Sequence, residues 1–384
     1  MKTQEAQRVL DSLRKGIPPD GFIGHFTVGR EAEIRSLTSR LQSNTGGSLL
    51  LKANYGCGKS HLLRFVRETA LQQGYAVSTI TLDAKSAVRF NRMDQIMGAI
   101  WRGLEVPDAP GQYGPAPFFD FLIAHMRDCL KQQTKNAEWR RITNGYMWDN
   151  SHTLRSKSAY ITLRCWERKN TKFKAQLEDW LCQPWSHNIS WLVDYVRLCT
   201  PFTFYKQDLN FILQDYEESW SVLYSIHVLA RAAGLKGLVI LFDEFEDVFN
   251  LRNGVHEQIA FWNLFEFFKG VEFQGMAFFA VTPGFVQKCK RLLLRKGYDD
   301  YDATRFDSLP TFEMTPLEAD DLKRLALRIA EVHGEAYPEC PDRAINQAEL
   351  DSVVHAAASV AVQDRARHIV KAVVRVLDDT LEHD

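Results

Sequence analysis

The 384-residue chain has no apolar run of the roughly 18 residues a membrane-spanning helix needs, which argues against a membrane span. It has no C-x-x-C pair: seven cysteines (57, 129, 165, 182, 199, 289, 340) are odd in number and scattered. That pattern speaks against a disulfide framework or a zinc site and for reduced thiols in a cytosol. It has almost no net charge, formally −1, so no global field announces a nucleic-acid or membrane partner. The opening residues Met1 to Gln7 are polar and lack the apolar core of a signal peptide, so a cytoplasmic location is expected. No internal repeat and no low-complexity tract occurs, which sets solenoids and disordered tails aside. What is present, 45% hydrophobic residues over a length suited to two or three structural units, describes a globular chain with a large core.

Against that background one stretch stands out: Ala53-Asn54-Tyr55-Gly56-Cys57-Gly58-Lys59-Ser60. The apolar run Ser48 to Lys52 leads into it, and the helix-like His61-Leu62-Leu63-Arg64-Phe65-Val66 leaves it. Strand, glycine loop, Lys-Ser and helix is the layout of a P-loop. Backbone N–H groups must converge on phosphate oxygens, so the loop needs residues without bulk that tolerate unusual backbone angles. Gly56 and Gly58 supply them. Lys59 reaches the β- and γ-phosphates in this reading, Ser60 ligates Mg²⁺, and the helix N-terminus adds its dipole. One departure from G-x-x-x-x-G-K-[ST] is Ala53, which stands at the first glycine position. Cys57, beside Lys59 and a helix N-terminus, is either a reactive thiol or a small loop filler.

Around the loop the pattern alternates. Apolar positions Ala6, Val9, Leu10 and Leu13 predict a helix over 4–15, ended by Gly16 to Gly21. Val28-Gly29-Arg30-Glu31 runs into a helix through Leu41. Tyr75 to Leu82 reads as a second strand, giving a right-handed βαβ unit and a parallel sheet. Met93 to Leu104 and Trp220 to Ala233 read as helices, and the next core strand is Leu238 to Phe242. After it come a helix over His256–Lys269, a strand over Met276–Thr282, a helix over Phe285–Leu294 and a short strand within 306–314. From Pro316 the chain reads as helical to the end, with breaks near 334–342 and 361–364. The expected division is 1–104 and 216–315 for the two parts of the α/β domain, 105–215 for a mostly helical insertion and 316–384 for a helical cap.

Leu238-Val239-Ile240-Leu241-Phe242-Asp243-Glu244 ends a buried strand in two carboxylates. Asp243 is the candidate to hold Mg²⁺ opposite Ser60, and Glu244 to polarise the attacking water. With the P-loop, this pair implies hydrolysis of ATP or GTP. No guanine-reading Asn/Thr-Lys-x-Asp string is evident. Thr282, at the next strand tip, either hydrogen-bonds the γ-phosphate or water or simply caps the following helix. Arg305 is a candidate to enter a neighbouring copy's site, with Arg291 and Arg295 as competitors. Arg367, with Arg365 as its rival, is a candidate to reach the γ-phosphate from the last helix. Residues 131–174 hold eleven basic against three acidic side chains, a net +8, interleaved with Trp139, Tyr146, Trp148, Tyr160, Trp166 and Phe173. Lys131, Arg140, Arg141, Arg164, Lys172 and Lys174 are thus candidates for DNA contacts, against a solvated helical face or a protein-docking surface.

These motifs resemble those of AAA+ ATPases. Val28 to Glu31 is similar to the segment lining the adenine pocket, Asn54 to Ser60 with His61 to Walker A, Asp243-Glu244 to Walker B, Thr282 to the first sensor, Arg305 to the arginine finger and Arg367 to the second sensor. More narrowly, Gly16-Ile17-Pro18-Pro19, Tyr55 to Arg64, Asp243-Glu244-Phe245-Glu246 and Thr282-Pro283 resemble the BrxD-like ATP-binding proteins of BREX phage-defence loci. The match covers most of the chain except the basic insertion. The resemblance implies an AAA+ type P-loop NTPase: a parallel sheet, a large helical insertion between the Walker motifs and a C-terminal helical lid. It also implies ATP with Mg²⁺, a ring or arc of identical copies and other defence proteins as partners. Two alternatives stand beside this ATPase: a nucleotide-controlled scaffold, and a DNA-loading or initiator-type ATPase. The latter is disfavoured because no winged-helix module is expected after the last helix.

Overall fold

A computed structural model of the chain describes residues 1–44, 47–82, 88–131, 154–156, 159, 162–163, 166, 171–183, 216–247, 254–296, 303–339, 345–362 and 364–382. Among these residues the strands are β1 (Leu49–Lys52), β2 (Ala76–Thr81), β3 (Leu104–Glu105), β4 (Leu238–Asp243), β5 (Met276–Val281) and β6 (Thr311–Glu313). They form one sheet in the order β3-β2-β4-β5-β1-β6. Every pairing is parallel except β2 with β3. The central strands β4 and β5 are buried almost throughout, which is why they read as unbroken apolar runs rather than as alternating ones. β6 has Thr311 and Glu313 exposed, as an edge strand tolerates.

The pleat divides the sheet residues between two cores. On one face Leu51, Val77, Val239, Leu241 and Phe278 pack beneath α4 (Lys59–Gln72) and α3 (Glu31–Ser43). On the other, Leu50, Ile80, Ile240, Phe242 and Phe279 meet four further helices. These are α5 (Met93–Arg102), α8 (Tyr216–Ala232), α9 (Gly254–Lys269) and α10 (Phe285–Lys296). Right-handed crossovers require this arrangement. The β1-to-β2 connection runs toward one sheet edge, whereas β4-to-β5 and β5-to-β6 run toward the other, so their helices lie on opposite faces.

The chain departs from its sequence pattern in two places. The helix expected to reach Leu104 stops at Arg102, and Leu104-Glu105 instead adds an antiparallel edge strand. Within 105–215, α6 (Pro115–Lys131) and α7 (Thr171–Cys182) share the sheet's core: Phe118, Phe119, Trp166 and Trp180 are buried together with Trp101.

A third core lies at the chain's two ends. α1 (Thr3–Arg14) presents Ala6, Val9, Leu10 and Leu13 to α11 (Ala319–Ala336) and α13 (Arg365–Glu382), and α12 (Gln347–Ser359) packs on those two. Arg14 fixes the contact by donating to both Asp378 oxygens, at 2.8 and 2.7 Å, and to Tyr337 Oη at 3.1 Å. The first helix therefore packs with the last three into one bundle, and a short turn, α2 (Ile23–Phe26), leads from it toward the sheet.

Candidate nucleotide site

The strand order reverses between β1 and β5: the chain leaves β1 toward one edge of the sheet and β5 toward the other. Such a switch point opens a crevice beyond the carboxyl ends of the strands, where open α/β sheets take their ligands. The loop Ala53–Gly58 lies at this point. Ala53 N–H donates to Val281 O at 3.0 Å, rooting the loop on the tip of β5, and Cys57 N–H donates to Asn54 O at 3.3 Å. Gly56 and Gly58 take φ of 72° and 90°, left-handed values that a side chain would strain. α4 begins at Lys59, so the unpaired N–H groups of its first turn face the crevice with Ser60 exposed among them. Asn54, Tyr55 and Gly56 are exposed, whereas Cys57 is buried, a loop filler rather than an accessible thiol.

Lys59 is buried and turned back on the protein. Its Nζ donates to Ala53 O at 3.0 Å, lies 3.2 Å from Glu246 Oε1 and stands 4.8 Å from the centre of the Tyr55 ring. Sequence reasoning singled out Asp243 and Glu244 but gave Glu246 no role. The turn after β4 explains its arrival. Glu244 adopts φ 55°, a left-handed value for a non-glycine residue, and its N–H donates to Asp243 Oδ1 at 2.9 Å. Phe245 then plugs the aromatic core, with its ring 4.7 Å from those of Phe90 and Phe279. That anchor returns Glu246 toward the loop, where it is buried.

Asp243 ends β4, Thr282 follows β5, and the loop follows β1, so three neighbouring strands present them along one edge. With strands about 4.8 Å apart, the β4 tip stands about 10 Å from the root of the loop. Thr282 is half-buried, and its carbonyl accepts the Phe285 N–H at 3.1 Å to open α10.

Val28-Gly29-Arg30-Glu31 forms the joint between loop and bundle. Val28 is buried against the bundle core. Gly29, at φ 64°, lies under the Asp321 carboxyl, whose Cγ would be 2.3 Å from an added Cβ. Arg30 is buried and donates to Cys57 O at 2.9 Å, to Thr315 O and to Glu33. Glu31 pairs with Arg324 of α11 at 2.8 Å. A cavity of about 440 Å³ opens here, bounded by Thr27, Val28, Arg324, Leu327 and Arg328 among others. His61 faces this joint rather than the loop: its Nε2 lies 2.8 Å from Thr27 Oγ1. Burial first, then Arg64 and Arg30, lower its pKa to about 4, so the ring is neutral at pH 7.

The remaining candidates lie elsewhere. Arg305 sits in a turn ahead of β6, the edge strand beside β1, with its guanidinium 4.4 Å from the centre of the Phe265 ring. Arg291 is exposed on α10, and Arg295 lies near that helix's end. Arg365 and Arg367 occupy the first turn of α13, the latter exposed. Lys131 ends α6 and Lys172 lies in the first turn of α7. Lys174 is engaged within the protein, 3.4 Å from Asp120 and 4.9 Å from the centre of the Trp166 ring. Trp166 is itself a core residue, donating to Asp120 Oδ1 at 2.8 Å, and offers no face for base stacking. Arg140, Arg141 and Arg164 lie outside the described residues. No described helix is long and apolar enough to cross a membrane.

A mostly parallel sheet with a glycine loop and a buried lysine at its switch point, and carboxylates at the tip of a nearby strand, defines a nucleotide-binding α/β protein. The family model for the BREX system ATP-binding protein BrxC/D matches residues 1–141 and 189–384, and the chain belongs to that family of ATP-binding proteins. No curated protein and no solved structure gives a significant match.

Proposed function

We propose that the chain is an AAA+ type ATPase that binds ATP with Mg²⁺ between the loop and the strand tips and hydrolyses it in an anti-phage defence system. The observation that carries this reading is the alignment of the Ala53–Ser60 loop, Thr282 and Asp243-Glu244 on three adjacent parallel strands. β5 lies between the loop strand and the carboxylate strand, which leaves room for phosphates and a water between them.

In this reading the loop N–H groups and Lys59 hold the phosphates, and Val28 and Arg30, at the joint, hold the nucleoside side of the site. Among the described residues no group of three His, Cys, Asp or Glu side chains is placed to bind a metal by itself. Ser60 and Asp243 fit a Mg²⁺ shared with phosphate instead, and the ion supplies charge neutralisation on the transferred group. Glu244 takes the proton of the attacking water and Thr282 orients it. Arg305 acts in the next copy of a ring or arc from the turn ahead of β6, and Arg367 acts from the helical lid. DNA or a defence-complex protein binds the basic stretch 131–174.

Turnover of wild type against Lys59→Ala and Glu244→Gln, with and without DNA, tests the enzyme reading. Each substitution is expected to lower turnover by about 10² or more. A wild type no faster than these variants would refute hydrolysis. Mixing Arg305→Ala with Glu244→Gln copies tests the shared site: the mixture is expected to regain activity that neither has alone, because a Glu244→Gln copy still lends Arg305 to an intact neighbour.

A further inference from the structure

Lys59 faces a conflict that the proposed chemistry does not resolve. Its ammonium must meet phosphate, yet it is buried against Glu246, 3.2 Å away, and bonded to the carbonyl of Ala53. Glu246 is buried too, and among the described residues its Oε1 accepts no hydrogen bond of good geometry, although the ammonium stands beside it. The pair is thus held by charge in a low-dielectric pocket rather than by a fully satisfied hydrogen-bond network. Glu246 is not free to swing away with the loop. Phe245 pins the turn into the core on one side, and on the other Lys288 Nζ donates to the Glu246 carbonyl at 3.2 Å.

We propose that Glu246 is a positioning residue that competes with nucleotide phosphate for Lys59, holding the lysine in the nucleotide-free site and releasing it when a triphosphate arrives. The inference rests on the reading of the loop as an ATP site. The latch works by charge: phosphate takes the ammonium only by leaving a buried carboxylate without its counter-ion, and that carboxylate repels the incoming anion. Both effects subtract from nucleotide affinity, so the site stays closed to weakly bound anions. The glutamine isostere keeps the shape of Glu246, removes the charge and frees Lys59.

The test is a double-mutant cycle read by titration of a fluorescent ATP analogue. Glu246→Gln is expected to tighten binding about tenfold, the scale of an ordinary ligand-linked coupling. Glu246→Asp, which keeps the charge, is expected to bind like wild type. In a Lys59→Met background Glu246→Gln is expected to tighten binding much less, because only the repulsion of the anion is then removed and the competition has no object. Equal or weaker binding by Glu246→Gln in the Lys59 background overturns the latch while leaving the ATP site standing. So does equal tightening in the Lys59→Met background, which would mark simple repulsion or a structural effect. Failure of both wild type and Glu246→Gln to bind overturns the ATP reading and the latch together. Thermal melts of each variant without nucleotide verify folding.

Discussion

Helix α4 carries two buried cations about two turns apart, each facing a buried carboxylate, and the two pairs are built differently. Arg67 meets Glu105 as a fork: Nε donates to Oε1 at 2.6 Å and Nη2 to Oε2 at 2.5 Å. Tyr113 Oη accepts a further bond from Arg67, and Gly111 N–H donates to Glu105 at 2.8 Å. Glu105 is fully buried on the edge strand β3, so this pair ties the sheet edge to α4. Lys59, at the start of the same helix, meets Glu246 through one contact between a point charge and one oxygen. A guanidinium held by a two-point fork and a further bond has no reason to leave. An ammonium with one charge contact and one carbonyl can exchange its partner for a phosphate at small cost. The same helix thus has a fixed middle and an adjustable beginning.

The strongest way to break this comparison is to remove one cation at a time. Arg67→Met leaves Glu105 charged, buried and unmatched, and is expected to cost about 3–5 kcal/mol, lowering the melting temperature by about 10 °C. Lys59→Met, at the mouth of the crevice, is expected to cost about 1 kcal/mol while weakening nucleotide binding to a still measurable level. Denaturation midpoints read the first effect and nucleotide titration the second. Equal stability losses would show that the two pairs are alike after all.

Acid sharpens the contrast, because one of the buried histidines lies in the fixed region. His227 accepts the Leu238 N–H at 3.3 Å beneath the start of β4. Burial, and secondarily Arg231, lower its pKa to about 4, below the ordinary imidazole value. The folded state therefore favours the neutral ring. Stability from this group is complete above pH 6.5 and is lost as pH falls from there toward 4. The loss is expected to reach about 2 kcal/mol by pH 5. His227→Gln keeps an acceptor for Leu238 and does not titrate. Urea midpoints of wild type and variant should therefore converge as pH drops from 7.5 to 5, and parallel curves would refute the assignment.

Sequence legibility follows the same division. The fixed region was readable because its constraints are local and periodic: Leu238 to Phe242 and Met276 to Val281 are apolar throughout because both faces of a central parallel strand are covered. The glycine loop was readable for a chemical reason, and α11 to α13 from breaks near 334–342 and 361–364. Three things were not. β3 is two residues long and carries a glutamate, so nothing in its composition marks a strand; only the Arg67 fork makes Glu105 tolerable inside. The docking of α1 onto the last helices depends on partners more than 300 residues away, such as Asp378 for Arg14. Glu246 depends on the bend at Glu244, a backbone angle that a sequence does not display. Trp166 misled for the converse reason: an aromatic among basic residues looks like a stacking platform until Trp101, Phe118 and Phe119 are found around it.

Arg30 gives the smallest of these effects and the finest test, because it combines both behaviours. Like Arg67 it is buried with its donors shared, and like Lys59 it touches the loop. One guanidinium nitrogen holds the Cys57 carbonyl at 2.9 Å, the other the Thr315 carbonyl, where the chain enters the bundle. It therefore clamps the loop and the bundle together, through carbonyls that point away from any phosphate bound by the loop's N–H groups. Lysine at this position keeps the charge but reaches only one of the two carbonyls. Arg30→Lys is expected to cost about 1 kcal/mol of stability, the worth of one such hydrogen bond, and to weaken nucleotide binding a few-fold by loosening the loop. Saturating nucleotide should recover most of the stability loss, since a bound triphosphate orders the same loop from its other side. A loss untouched by nucleotide would place Arg30 wholly with Arg67, as a fixed tie of the scaffold. A loss in binding with no change in melting would place it with Lys59, in the adjustable part of the site.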